Sequence, residues 1–141
     1  MKFTHLSPAD SAALDSDREF VTAVLGARFA GELLSGTQRD IALLQRVLES
    51  RPYTDNPDGE VIALGTTLGD LLSRALGMPW VHFADEHGDD LGLRYGDTSI
   101  VIFPRNMLLK RVEDGERPDI QHLYDGVISE IQELVTSGQF Q

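Results

Sequence analysis

Residues 60–125 read as a helix, three closely spaced strands and a further helix, with a turn former at almost every junction, which leaves few ways to fold this chain. Trp80-Val81-His82-Phe83 reads as the first strand, Leu91 to Tyr95 as the second, and Thr98 to Phe103 as the third. Between the last two, Gly96-Asp97 puts glycine first, as a two-residue type II′ hairpin turn prefers. In the third strand Ile100 and Ile102 face one way and Val101 and Phe103 the other, so both faces are apolar. Such a strand is expected to be buried on both sides, by helices above and below the sheet or by a partner subunit.

The helices around this segment carry clear boundaries. One is expected from about Glu60 to Leu76, closed by Gly77, with Val61, Leu64, Leu68, Leu71 and Leu72 on its apolar face. Its Gly65 and Gly69 lie four apart, and an interior glycine costs about 1 kcal/mol against alanine, so the pair predicts a notch for close packing. Pro104 ends the third strand and opens a short helix through about Asp114, stopped by Gly115. Pro118-Asp119 starts the last helix, where Ile120, Leu123, Tyr124, Val127, Ile128, Ile131, Leu134 and Val135 follow the helical repeat closely.

The first 51 residues read as wholly helical. Ser7-Pro8-Ala9-Asp10 marks one start, and Ser16-Asp17-Arg18-Glu19, with capping-box spacing, a second. Phe20, Val21, Val24, Leu25, Phe29 and Leu33 recur at helical spacing until Gly36. Thr37 then caps a third helix, with Ile41, Leu44, Val47 and Leu48 as its stripe, ended by Pro52. Residues 52–59 form the clearest internal loop, but 51 residues make a poor core alone. A single domain over 1–141 is expected, with an α+β fold: a small, mostly antiparallel three-stranded sheet packed with about five or six helices.

Charge narrows the function. The net charge is −11, and it is uneven: residues 1–52 carry 6 basic and 7 acidic side chains, the remainder 6 and 16. That field repels nucleic-acid phosphates and anionic membranes and favours a cationic partner. The absence of cysteine removes disulfides, thiolate metal sites and a cysteine nucleophile, and is compatible with a reducing cytosol. No apolar run reads as a signal peptide or a membrane span, so a cytoplasmic location is expected.

The densest polar cluster is Asp85-Glu86-His87-Gly88-Asp89-Asp90, expected as a connection between the first two strands. Its carboxylates could gather a hard cation, but the spacing is not that of an EF-hand loop, and an ordinary solvated turn is the blander reading. Among His5, His82, His87 and His122 no pair has the HExxH spacing, and His82 reads as a structural histidine sharing a strand face with Trp80. There is no G-x-S-x-G elbow, and Gly65-Thr66-Thr67-Leu68-Gly69 lies within a helix, so it cannot cradle a phosphate. Arg94, Arg105, Lys110, Arg111 and Arg117 could anchor an anion; in an acidic chain such residues more often pair with neighbouring carboxylates.

Leu68-Gly69-Asp70, Gly77, Trp80-Val81, Asp85-Glu86, Gly88, Leu93-Arg94-Tyr95, Thr98-Ser99, Phe103-Pro104 and Lys110-Arg111-Val112 occur in an order that resembles a bacterial family of domains of unknown function, DUF3806, over roughly residues 60–135. The resemblance implies a bacterial setting and the same fold segment, but no reaction. It also draws Asp85, Glu86, Arg94 and the Lys110-Arg111 pair into an expected mixed-charge patch.

The function expected is a non-enzymatic, acidic protein-binding module, immunity-like or an adaptor, for a basic partner. Its candidate interaction residues are Asp85, Glu86, Asp89, Asp90, Trp80, Arg94, Tyr95, Lys110 and Arg111, with no catalytic residue, metal or cofactor. The alternatives are a metal-assisted hydrolase or small-ligand protein built on residues 85–90, and a structural homodimer joined through a sheet face.

Overall fold

A computed structural model describes residues 1–138. In chain order these form β1 (Lys2–Thr4), α1 (Pro8–Arg28), α2 (Asp40–Glu49), α3 (Pro57–Leu76), β2 (Trp80–Asp85), β3 (Gly88–Arg94), β4 (Val101–Ile102), α4 (Pro104–Glu113) and α5 (Ile120–Ser137). The architecture is α+β as expected, with one correction: the antiparallel sheet has four strands, in the order β1-β2-β3-β4. The added strand is the short N-terminal one, which sets Phe3 opposite Phe83 on β2.

The N-terminal helices also differ from the expectation. Ser7 and Asp10 form a reciprocal capping box: the Ser7 hydroxyl accepts the Asp10 N–H at 3.0 Å and the Asp10 carboxylate accepts the Ser7 N–H at 2.9 Å. From there α1 runs unbroken through the second expected start at Ser16. Leu14, Val21, Val24 and Leu25 fall on one buried face, so burial carries the helix past a local capping signal. It stops at Arg28, leaving Leu33 81% exposed in the following loop. Thr37 lies at the turn before α2, where its hydroxyl accepts the Arg39 N–H at 3.3 Å and its carbonyl the Asp40 N–H at 2.9 Å, and the Asp40 carboxylate accepts the Ser35 and Gly36 N–H groups at 2.7 and 2.8 Å.

α3 lies at the centre of the molecule, capped by Asn56 and buried along most of its length. Leu64, Leu68 and Leu72 are fully buried, each burial contributing about 1.5–3 kcal/mol. The expected glycine notch is present. A Cβ on Gly69 would fall 2.5 Å from the Trp80 ring, and Gly65 faces the backbone of Pro104 and Arg105 at the start of α4. Around α3 a continuous hydrophobic core draws on all five helices and on Leu93 of the sheet.

Two polar ties fasten α1 to this core. Arg18 grips both oxygens of Asp70 at 2.8 Å, while the Trp80 indole N–H donates to the same carboxylate at 3.0 Å. One turn away on α3, the Thr66 hydroxyl donates to Asp17 at 2.6 Å, and Arg105 of α4 donates to Asp17 at 3.1 and 3.2 Å. The loop before α3 is organised by Glu60, 2% exposed, whose carboxylate accepts the N–H groups of Tyr53 and Thr54 and the Thr54 hydroxyl. Among the described residues no helix is long and apolar enough to cross a membrane.

Candidate functional site

The register of the sheet sorts its side chains between two faces, because directly paired residues of antiparallel strands point the same way. Trp80, His82, Leu91 and Leu93 share one face. It is the inward one: Leu91 and Leu93 are 5% and 0% exposed, and Trp80 packs on α3. The other face carries Phe3, Val81, Phe83, Asp85, Asp90, Gly92, Arg94 and Val101. Phe3, Val81, Phe83, Val101 and Phe103 are only half-buried there. The expectation that the last strand is buried on both sides is therefore corrected. β4 is only two residues long at the sheet edge, and from Thr98 to Phe103 only Ile100 is buried, at 7%.

A line of aromatic rings crosses this open face. Phe3 and Phe83 have ring centroids 5.3 Å apart, and Phe83 and Phe103 meet edge to face, also at 5.3 Å. Phe103 can lie across the sheet because Gly92 beneath it has no side chain: a Cβ there would fall 3.0 Å from the ring. Arg94 places its guanidinium 3.8 Å above the Phe3 ring and donates from Nε to the Thr98 carbonyl at 2.7 Å.

The acidic run stands beside the middle of the aromatic line, with Asp90 opposite Phe83. It is no separate connecting loop, because β2 continues to Asp85 and β3 begins at Gly88, leaving Glu86-His87 as the hairpin tip. Asp85 accepts the His87 N–H at 2.8 Å, which tightens the turn. Phe83, Asp85, His87, Gly88, Asp89, Asp90, Phe103 and Asn106 line an open groove of about 330 Å³. Within it the Asn106 amide donates to Asp90, whose other oxygen accepts the Leu91 N–H at 2.7 Å.

His82 lies behind the groove on the inward face. Its Nδ1 is 3.0 Å from Asp10 and its Nε2 is 2.9 Å from Asp89, so it bridges α1 and β3. The Asp10 hydrogen bond raises the His82 pKa above its ordinary value against an opposing effect of burial, and Asp89 adds to the rise. Asp10 is held below the carboxylate norm, first by the Ser7 N–H and also by His82, against a smaller upward push from burial.

The structure thus brings Asp85 and Asp90 together on the open face, with Arg94 on that same face, while Asp89, opposite Ala84, sends its carboxylate to His82 on the inward face. Glu86 projects from the hairpin tip, its side chain 86% exposed and 3.5 Å from His87. Trp80 lies on the opposite face, committed to Asp70 and Gly69, and Tyr95 packs against the hydrophobic core. Lys110 and Arg111 fall in the last turn of α4, outside the groove lining, with Arg111 donating to the Met107 carbonyl at 3.2 Å. Among the described residues no group of three or more His, Asp or Glu side chains could hold a metal ion. Sequence reasoning missed Phe3, Phe83, Phe103 and Asn106. Alternation from Phe83 to Asp85 could have placed those two on one face, but only with the strand extended into the acidic run.

A family described as "Domain of unknown function (DUF3806)" matches residues 40–124, from the start of α2 into α5. That span begins one helix earlier than the sequence resemblance and ends sooner. No protein of curated function matches. A solved structure from Bacteroides thetaiotaomicron VPI-5482, at 1.50 Å resolution, superposes with a TM-score of 0.79 at 20% identity, over 92% of this chain and 47% of the other. At that identity the likeness shows the fold alone, and the present chain spans about half the length of that structure.

Proposed function

The chain belongs to the DUF3806 family, and we propose that it is a non-enzymatic protein-binding module whose open sheet face docks a basic partner. The observation that carries this reading is the joining of a half-buried aromatic line, Phe3–Phe83–Phe103, to the carboxylates of Asp85 and Asp90 on the same sheet face. Aromatic side chains are enriched where proteins meet, since they bury much area at little entropic cost. A net charge of −11 steers cationic proteins toward the molecule, and the hairpin supplies a local landing point for them. An adaptor, or an immunity-like inhibitor of a basic protein, works in this way, and a bacterial cytoplasmic setting completes the reading.

The test is affinity capture from a host lysate along a salt gradient, run in parallel with wild type and with a variant carrying Asp85→Asn, Glu86→Gln, Asp89→Asn and Asp90→Asn. A basic protein held by wild type, released at moderate salt and lost by the variant is the expected result. Equal retention by both proteins would remove the hairpin from the interface.

A further inference from the structure

Resting on that reading, we infer that the groove between Phe83, Phe103 and the hairpin carboxylates receives an arginine side chain of the basic partner. A volume of about 330 Å³ is at the small end of ligand pockets, which hold about 300–1,000 Å³, and suits one long side chain lying in an open slot.

The chemistry of the lining selects a donor. Asp85 accepts one backbone N–H and Asp90 accepts one N–H and the Asn106 amide, while Asp89 is turned to His82 on the other face. A carboxylate offers about four acceptor positions, so Asp85 and Asp90 both keep unused capacity. A group that fills the groove is favoured when it donates, and when it is cationic it offsets the two carboxylates of Asp85 and Asp90. A second copy of this chain is a poor occupant, because two molecules that each carry a net charge of −11 repel one another.

The aromatic walls then separate guanidinium from ammonium. A guanidinium is flat, weakly hydrated and forked, so it can lie on a ring face while donating to two carboxylates at once. An ammonium is compact, strongly hydrated and has no face to stack. The open sheet face already holds one such pairing, since the Arg94 guanidinium rests 3.8 Å above the Phe3 ring. Phe83 and Phe103 line the groove beside Asp85 and Asp90, and among the described residues no arginine lines it.

The experiment is a titration of isotope-labelled full-length protein, followed by amide chemical shifts, with a capped Gly-Arg-Gly-Arg-Gly peptide and its lysine and citrulline counterparts. The arginine peptide should shift the amides of Phe83, Asp85, Asp90 and Asn106 and bind about tenfold more tightly than the lysine peptide, with citrulline inert. Phe83→Leu and Asp85→Asn should each weaken arginine binding at least about fivefold while the protein stays folded and melts cooperatively, two variants being used so that one misfolded protein does not decide the result. Equal binding of arginine and lysine peptides, or shifts centred elsewhere, would overturn the inference. If the arginine peptide fails while hairpin-dependent capture of a basic protein succeeds, the arginine site falls and the binding module stands. Failure of both removes both.

Discussion

Gly65 on α3 admits the backbone of Pro104 so closely that a Cβ at position 65 would fall 2.6 Å from the Pro104 carbonyl oxygen. The obstacle is backbone, fixed where α4 begins, and it cannot swing aside as a side chain would. Gly65→Ala should therefore suffer overpacking of about 1–3 kcal/mol, exceeding the helix-propensity gain of about 1 kcal/mol. Urea unfolding should show a lower midpoint with an unchanged slope. Gly26 on α1 is the control: nothing lies within 4 Å of its added Cβ, so Gly26→Ala should raise the midpoint.

His82 should make stability depend on pH in a definite direction. Its folded pKa is raised above the ordinary 6.5 by Asp10, against burial, and then by Asp89. Its contribution is therefore complete below that ordinary value and is lost as pH rises through the raised one. Asp10, lowered from 3.8 chiefly by the Ser7 N–H, contributes above its ordinary value and loses this as pH falls through the lowered one. The bridge is strongest between the two ranges. Wild type should out-melt His82→Asn by more at about pH 5.5 than at about pH 9; a constant gap would show that the imidazole charge does not matter.

Glu60 should be sensitive to loss of a single acceptor. Burial pushes its carboxyl up, but the Thr54 hydroxyl and the Tyr53 and Thr54 N–H groups outweigh that and hold it below the ordinary 4.5. Glu60→Gln would turn an NH₂ toward one of these donors, and a loss of about 1–3 kcal/mol is expected. Hydrogen exchange at the Tyr53 and Thr54 amides should accelerate in the variant. In wild type the protection should weaken as pH falls through the lowered value.

Thr66, Asp17 and Arg105 should act as one unit. Thr66 is fully buried and donates to Asp17 at 2.6 Å, and Arg105 reaches both partners. Thr66→Val should cost about 1–3 kcal/mol. Combined with Arg105→Met, the loss should be smaller than the sum of the single losses, as for residues sharing a hydrogen-bond network. Strict additivity in a denaturation cycle would show that the two side chains hold Asp17 independently.

Much of this fold was legible because its strongest signals were periodic. The apolar repeat of α5 and the glycine pair of α3 depend on spacing alone, and both stand where the sequence places them. β1 was not legible, since three residues cannot display an alternation and their strand identity comes from pairing with Ala84, Phe83 and His82. The continuity of α1 was hidden by Ser16, whose local capping signal gives way to the common burial of Leu14 and Val21. The acidic hairpin misled for a related reason. Polar residues at a strand end resemble a loop, and only the register of Asp85 with Gly88 shows them to be paired. The carboxylates of the candidate site were therefore found, while its aromatic walls, contributed by β2 and the residue after β4, were not.

Gly92 has a consequence for how this surface can change over evolutionary time. Phe103 forms one wall of the groove, yet its height above the sheet is set by the bare backbone of β3 beneath it. A methyl group at position 92 would press on the ring from below and on the Ile102 carbonyl beside it, 2.8 Å away. Groove depth can thus be retuned from a strand position that lies underneath the ring, and selection for a new partner need not alter any carboxylate that the partner meets.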